Sequence, residues 1–244
     1  MDTTMYVGLS RQVVLQREMD ITANNIANVD TAGFKVESLM VADEPRTLPM
    51  GSGRSTINFA YDNGVARDFS QGSMKPTGSP FDLAIEGQGF FQVSTDGGTR
   101  FTRDGRFGMD SQGRLVNASN HPVLDSGGGE ITLDPTKGAP SVAPDGTISQ
   151  AGQNLGKVGV MRFANLSGLS KDGEGLYRND GNIQPEADTT AKVQQGMVEG
   201  SNVQAVSQIT KLIKVSRAYE TMAKMMSTTA DLSSNSVSRL GRLS

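Results

Sequence analysis

The chain has 244 residues, is 36% apolar and 20% charged, and carries a formal net charge of −3. That balance argues against disorder and against the strongly basic face of a nucleic-acid binder. With no Trp and 5% aromatic residues, it also lacks the means for aromatic stacking on single strands. Cysteine is absent, which removes disulfides, thiolate metal sites and cysteine nucleophiles together.

No apolar run approaches the roughly 18 residues of a membrane span. The opening MDTTMYVGLSRQVVLQREMD lacks the basic region and continuous apolar core of a cleavable signal. All nine prolines lie between Pro45 and Pro185, and every glycine except Gly8, Gly33 and Gly241 lies between Gly51 and Gly200. Two helix-compatible ends therefore bracket a turn-rich middle.

The first predicted element is a helix over residues 3–28, with Thr3 or Thr4 as N-cap. Met5, Leu9, Met19, Ala23 and Ile26 fall on one stripe at heptad spacing, widened by Tyr6 and Val13 and interrupted by Gln12 and Gln16. The run from Asn24 to Lys35 then breaks the helix. Its Asn and Asp side chains compete for backbone hydrogen bonds, and Gly33 suits a left-handed turn. Phe34 is the first apolar anchor of the next element.

Residues 36–75 show no sustained period. With Pro45, Pro49 and Gly51-Ser52-Gly53 they read as an extended connector, a length of loop that calls for packing on the helices or on a neighbour. From Phe81 the pattern is β: Phe81, Leu83 and Ile85 alternate with Asp82, Ala84 and Glu86. Phe90 to Val93 and residues 158–163 give further strands, separated by turn signals such as Asp96-Gly97-Gly98, Asp104-Gly105 and Asp145-Gly146.

The last element is a second helix, with Ser201 and Gln204 as a capping box. Ala205, Ile209, Leu212, Ser216, Tyr219, Ala223, Met226, Ala230, Ser233, Val237 and Leu240 make its seam, and Gly241 stops it. At 1.5 Å per residue it spans about 58 Å, and the first helix about 39 Å. A body of about 110 residues has a radius of gyration near 13 Å, too small to cover them. The helices must pair with each other and with neighbouring copies.

The predicted fold class is α+β: long terminal helices paired as a coiled coil around a central all-β, meander- or barrel-like domain. The terminal helical domain comprises residues 1–35 and 190–244, the connector 36–75 and the β domain 76–189.

Signals for chemistry are weak. His121 is the sole histidine, set in the turn-like Asn120-His121-Pro122, so a zinc site would need carboxylates alone. Gly87-Gln88-Gly89 lacks the third glycine and following helix of a dinucleotide fingerprint. Asp104 with Asp110, or Asp172 with Glu174, could form an acid–base pair on paper, but they sit at Gly-rich hairpin tips. No cofactor or metal is expected. Met222, Met225 and Met226 read as adaptable packing residues.

Lys211, Lys214, Arg217, Lys224, Arg239 and Arg242 outnumber Glu220 and Asp231, so the C-terminal segment is basic. In the first forty residues Asp2, Glu18, Asp20, Asp30 and Glu37 outnumber Arg11, Arg17 and Lys35. This suggests complementary helices, in one copy or across copies.

Four blocks in order resemble the flagellar axial family of rod and hook proteins. They are Ala23-Asn24-Asn25-Ile26-Ala27-Asn28 with Thr31-Ala32-Gly33-Phe34-Lys35; Gln71-Gly72 through Phe90-Phe91; Phe101-Thr102-Arg103-Asp104-Gly105-Arg106-Phe107 with Gly113-Arg114-Leu115-Val116; and Gln195-Gly196 through Val203 with Arg217-Ala218-Tyr219-Glu220. The large central insertion of the hook protein is absent.

The resemblance implies a non-catalytic structural subunit of the basal-body rod, in its proximal part or alternatively its distal part. It implies export by the flagellar type III apparatus, a periplasmic location, and partners that are further copies and other rod proteins. Leu9, Asn24, Asn25, Ile26, Asn28, Gly33, Phe34, Ile209, Leu212, Tyr219 and Met226 are the expected assembly residues. A peptidoglycan-acting enzyme is the competing class, and it requires two carboxylates facing each other in a cleft.

Overall fold

The computed structural model describes residues 2–50, 53–181 and 183–240. It divides into two compact units that the chain visits alternately. Unit 1 holds residues 1–27, 37–67 and 204–244, and unit 2 holds 28–36 and 68–203.

Unit 1 contains helix α1 (Asp2–Ala27), strands β1 (Glu37–Met50) and β2 (Gly53–Arg67), and helix α2 (Ala205–Leu240). The helices run antiparallel in a coiled-coil-like pair: Gly8 lies against Met222 and Met226, Glu18 meets Lys211, and Asn25 meets Gln208. A Cβ at Gly8 would come within 3.1 Å of Met226 Cγ, so the bare backbone lets the helices approach closely there.

The face of α1 turned inward is Gly8, Val14, Leu15, Ile21, Thr22 and Asn25. The predicted stripe of Met5 and Leu9, with Tyr6 and Val13, instead faces outward. On α2 the inward residues are Leu212, Val215, Tyr219, Met222 and Met226, close to the predicted seam, but Ile209 is exposed.

The run read as a connector forms an antiparallel hairpin, β1 with β2, whose register slips once between Leu39 and Val41. Gly64 opposite that slip has φ +108°, a conformation that favours glycine. Helix α2 begins at Ala205, three residues later than a cap at Ser201–Gln204 would allow. Ser201 Oγ instead accepts from the Val203 N–H at 3.2 Å in a local turn. Thr3, Thr4, Ser233, Val237, Leu240 and Gly241 lie outside the described residues or side chains.

Unit 2 is β-rich, but its main sheet is open where a barrel-like closure was expected. Six antiparallel strands are arranged in the order Leu169–Lys171, Leu176–Asn179, Gly98–Thr102, Phe90–Thr95, Val160–Arg162, Glu186–Ala187, with the first and last as edges.

Successive side chains of a strand point to opposite faces, so Phe90 and Phe91 enter different cores. Phe91 joins Leu83, Ile85, Phe107, Ile148 and Val158, among others. Phe90 joins Phe101, Phe163, Leu169 and Tyr177, with rings packed edge to face. Strand Leu83–Glu86 buries Ala84 as well as Leu83 and Ile85, so its predicted alternation understates its burial.

Candidate functional site

In unit 2 three charged side chains meet out of reach of solvent. Lys35 Nζ donates to Glu199 Oε1 at 2.6 Å, and Arg103 Nη1 donates to Glu199 Oε2 at 3.0 Å. Lys35 and Glu199 side chains are 0% exposed and that of Arg103 is 2%. Three of the four blocks singled out in the sequence each contribute one of these residues, and the fourth adds Gly72, whose N–H donates to Glu199 Oε1 at 2.8 Å.

A Cβ at Gly72 would stand 2.0 Å from the Gly200 carbonyl oxygen, so only glycine fits there. Gly33 is equally constrained. It has φ +67°, its N–H donates to the Glu199 carbonyl at 2.8 Å, and a Cβ would lie 2.4 Å from Asp104 N.

Burying these charges is costly. Desolvation lowers the pKa of Lys35, with Glu199 pulling it back up, and lowers that of Arg103 in the same way. Two cations share one carboxylate, so Glu199 is the hub. Backbone carbonyls take further donors, Lys35 Nζ to Ser70 at 2.6 Å and Arg103 Nη2 to Gly87 at 2.8 Å, while the buried Arg103 Nε has no hydrogen-bond partner.

Two asparagines organise the places where the chain passes from unit to unit. In unit 2, Asn202 accepts from Val36 N–H at 2.8 Å and donates to the Asp68 carbonyl at 2.8 Å, while Asp68 N–H donates to the Val36 carbonyl at 3.0 Å. In unit 1, Asn25 is buried and bonds the Glu37 backbone in both senses, accepting from its N–H at 2.9 Å and donating to its carbonyl at 2.7 Å. Arg67 closes on the Glu37 carboxylate at 2.8 Å.

The predicted assembly residues divide accordingly. Asn25 is a buried structural tie. Ile26 and Leu212 are half-buried, and Asn24 is exposed. Gly33 and Phe34 belong to the interior of unit 2, where Lys171 Nζ stands 4.8 Å from the Phe34 ring centre. Asn28 Oδ1 accepts from Thr31 Oγ1 at 3.1 Å in the turn that ends the helix. Met226 packs on Gly8, and Tyr219 lines a groove with Leu9, Val13 and Asp20.

The outward apolar residues are Leu9, 49% exposed, and Ile209, 47% exposed. The ion cluster of Lys35, Arg103 and Glu199 was not among the predicted sites. No local signal in the sequence sets these three residues apart from the other charged residues of the same blocks.

Of the four carboxylates that could have formed an acid–base pair, three are tied to arginines: Asp104 to Arg106, Asp110 to Arg114, and Asp172 to Arg100 and Arg178. The fourth, Glu174, stands 3.6 Å from His121 Nε2. The described residues contain no group of three or more His, Cys, Asp or Glu able to hold a metal ion. None of the described helices is long and apolar enough to cross a membrane.

Family models match at both ends and in the middle: "Flagella basal body rod protein" over residues 5–35, "Flagellar hook protein FlgE/F/G D1 domain" over 84–150, and "Flagellar basal body rod FlgEFG protein C-terminal" over 194–240. The chain belongs to the flagellar basal-body rod protein family.

It is 52% identical over 244 residues, the whole of both chains, to the flagellar basal-body rod protein FlgF of Caulobacter vibrioides. It is 37% identical to FlgF of Mesorhizobium japonicum over 99% of each chain. To FlgG of Bacillus subtilis it is 32% identical, over 94% of this chain and 96% of the relative.

Proposed function

We propose that this chain is a structural subunit of the proximal part of the flagellar rod, polymerising into the shaft that transmits torque from rotor to hook. The observation that carries this reading is the end-to-end similarity to rod proteins, joined to a helical pair whose apolar outer faces are left open. The stronger similarity to FlgF than to FlgG supports the proximal position over the distal one.

On this reading the subunit leaves the cell through the flagellar type III apparatus and takes its place in the periplasm. It works there beside further copies and other rod proteins, FlgG among them. The two units divide the labour: unit 1 supplies the contacts of the shaft, and unit 2 is a self-contained β body.

Deleting residues 205–244 should remove the subunit from purified basal bodies while unit 2 keeps its β signature in circular dichroism. Incorporation of the truncated chain at the full-length level would refute the reading.

A further inference from the structure

Unit 2 takes its last strands from the far end of its own sequence. Lys192–Gln195 pairs antiparallel with Leu83–Glu86, and Met197–Glu199 with Met74–Pro76. Among the described residues, neither Leu83–Glu86 nor Met74–Pro76 lies beside any other strand. Leu83, Ala84 and Ile85 are buried, so the strand ladder that their interior backbone needs comes from the late segment alone.

Residues 192–203 also fasten loops that are distant in sequence. Gln195 Nε2 donates to the Pro80 and Pro140 carbonyls at 2.7 and 2.8 Å, and its Oε1 accepts from Val142 N–H at 3.1 Å. Gly196 N–H donates to the Asp82 carbonyl at 2.8 Å, and Gly200 N–H to the Ser73 carbonyl at 2.7 Å. Within the same segment Glu199 is the carboxylate that bonds both Lys35 and Arg103.

We infer that residues 192–203 are a latch: unit 2 stays open until they arrive, and closes when Glu199 reaches Lys35 and Arg103. The reason is first one of charge. Two cations buried without their counter-ion cancel much of the small margin by which a domain is stable, and the strands lost with the segment remove more. Local pairing cannot substitute, because the partners of Gln195 and Glu199 lie at Leu83, Met74 and Lys35.

The order of synthesis gives the latch its consequence. A chain is made from its N-terminus, and only residues 204–244 remain to be added once the latch is complete. Unit 2 therefore has no closed form for most of the time that the chain is being made. On the rod-subunit reading this keeps the chain open enough to be threaded through the export apparatus. That consequence rests on the reading, whereas the latch itself does not.

The test starts from the full-length chain with a protease site inserted in the exposed turn between Thr189 and Thr190. A second full-length chain carries the site after Val203. Each is cut, its pieces are separated in urea, and the N-terminal piece is returned to buffer. Amide exchange is then followed in strands Phe90–Thr95 and Gly98–Thr102.

Piece 1–189 should exchange these strands like an unfolded chain, and piece 1–203 like the uncut protein. A synthetic peptide of residues 190–204 should restore protection to piece 1–189. The same peptide with Glu199→Gln should bind roughly 100-fold more weakly, or worse. Protection in piece 1–189 alone would overturn the inference, as would a Glu199→Gln peptide that binds as well as the native one. So would a piece 1–203 that stays unprotected, or a native peptide that restores nothing. Absence of the full-length chain from basal bodies would instead refute the rod-subunit reading and leave these outcomes untouched.

Discussion

Unit 2 turns its large apolar side chains inward, around two clusters of interleaved aromatic and aliphatic residues and a solvent-free ion cluster. Unit 1 does the opposite. Among the described residues, every large apolar side chain that stands exposed except Leu155 belongs to it, while its buried apolar residues are Val14, Leu15, Ile21 and Val215. A region that cannot cover its own apolar surface gains stability from what binds it. One chain thus combines a body that is complete alone with a helical pair completed by neighbours.

The largest expected effect falls in unit 2. Glu199→Gln leaves Lys35 and Arg103 without their shared counter-ion and should cost about 3–5 kcal/mol, read as a lowered midpoint in urea. Lys35→Met leaves the Glu199–Arg103 pair intact and should cost clearly less. If the two variants unfold alike, Glu199 is not the hub.

Lys35 also carries a pH signature. Its folded pKa lies below 10.5, so the unfolded chain holds more protons in the alkaline range. Stability from this group therefore rises with pH between the folded pKa and 10.5. Lys35→Met should remove that rise.

A smaller effect is expected at the tie of unit 1. Asn25→Ala strips the Glu37 backbone of both partners and should cost about 1–3 kcal/mol. The loss should appear as faster amide exchange in α1 and the hairpin, with unit 2 unchanged. The smallest effect on the isolated chain belongs to Leu9→Ala, within about 0.5 kcal/mol because the side chain already faces water. Its incorporation into basal bodies should nevertheless fall, so stability and assembly separate at one residue.

Much of this contrast was legible in the sequence. The two long helices arise from runs without proline, and the left-handed Gly33 from its place after an Asn- and Asp-rich break. The strands around Phe90 and Leu83 arise from their apolar runs. The outward turn of Met5 and Leu9 was not legible, because periodicity marks a stripe without saying what will cover it. Gly8 decides the matter: its missing side chain brings Met222 and Met226 to the adjoining face.

The hairpin of β1 and β2 was hidden by Pro45 and Pro49 and by a lack of alternation, since a two-stranded ribbon open on both edges has little core to impose one. The ion cluster escaped because its members are 68 or more residues apart, and nothing local in Lys35, Arg103 or Glu199 announces a common partner. The start of α2 was misplaced because Asn202 is held by Val36 and Asp68, a tertiary demand that outranks the capping pattern.

The most direct measurement is amide hydrogen exchange followed by mass spectrometry on the full-length chain, isolated and within purified basal bodies. In the isolated chain, α1, α2 and the hairpin should exchange orders of magnitude faster than strands Phe90–Thr95 and Gly98–Thr102. In the basal body the helices should become as protected as those strands. Helices already fully protected in the isolated chain, with no change on assembly, would contradict the account.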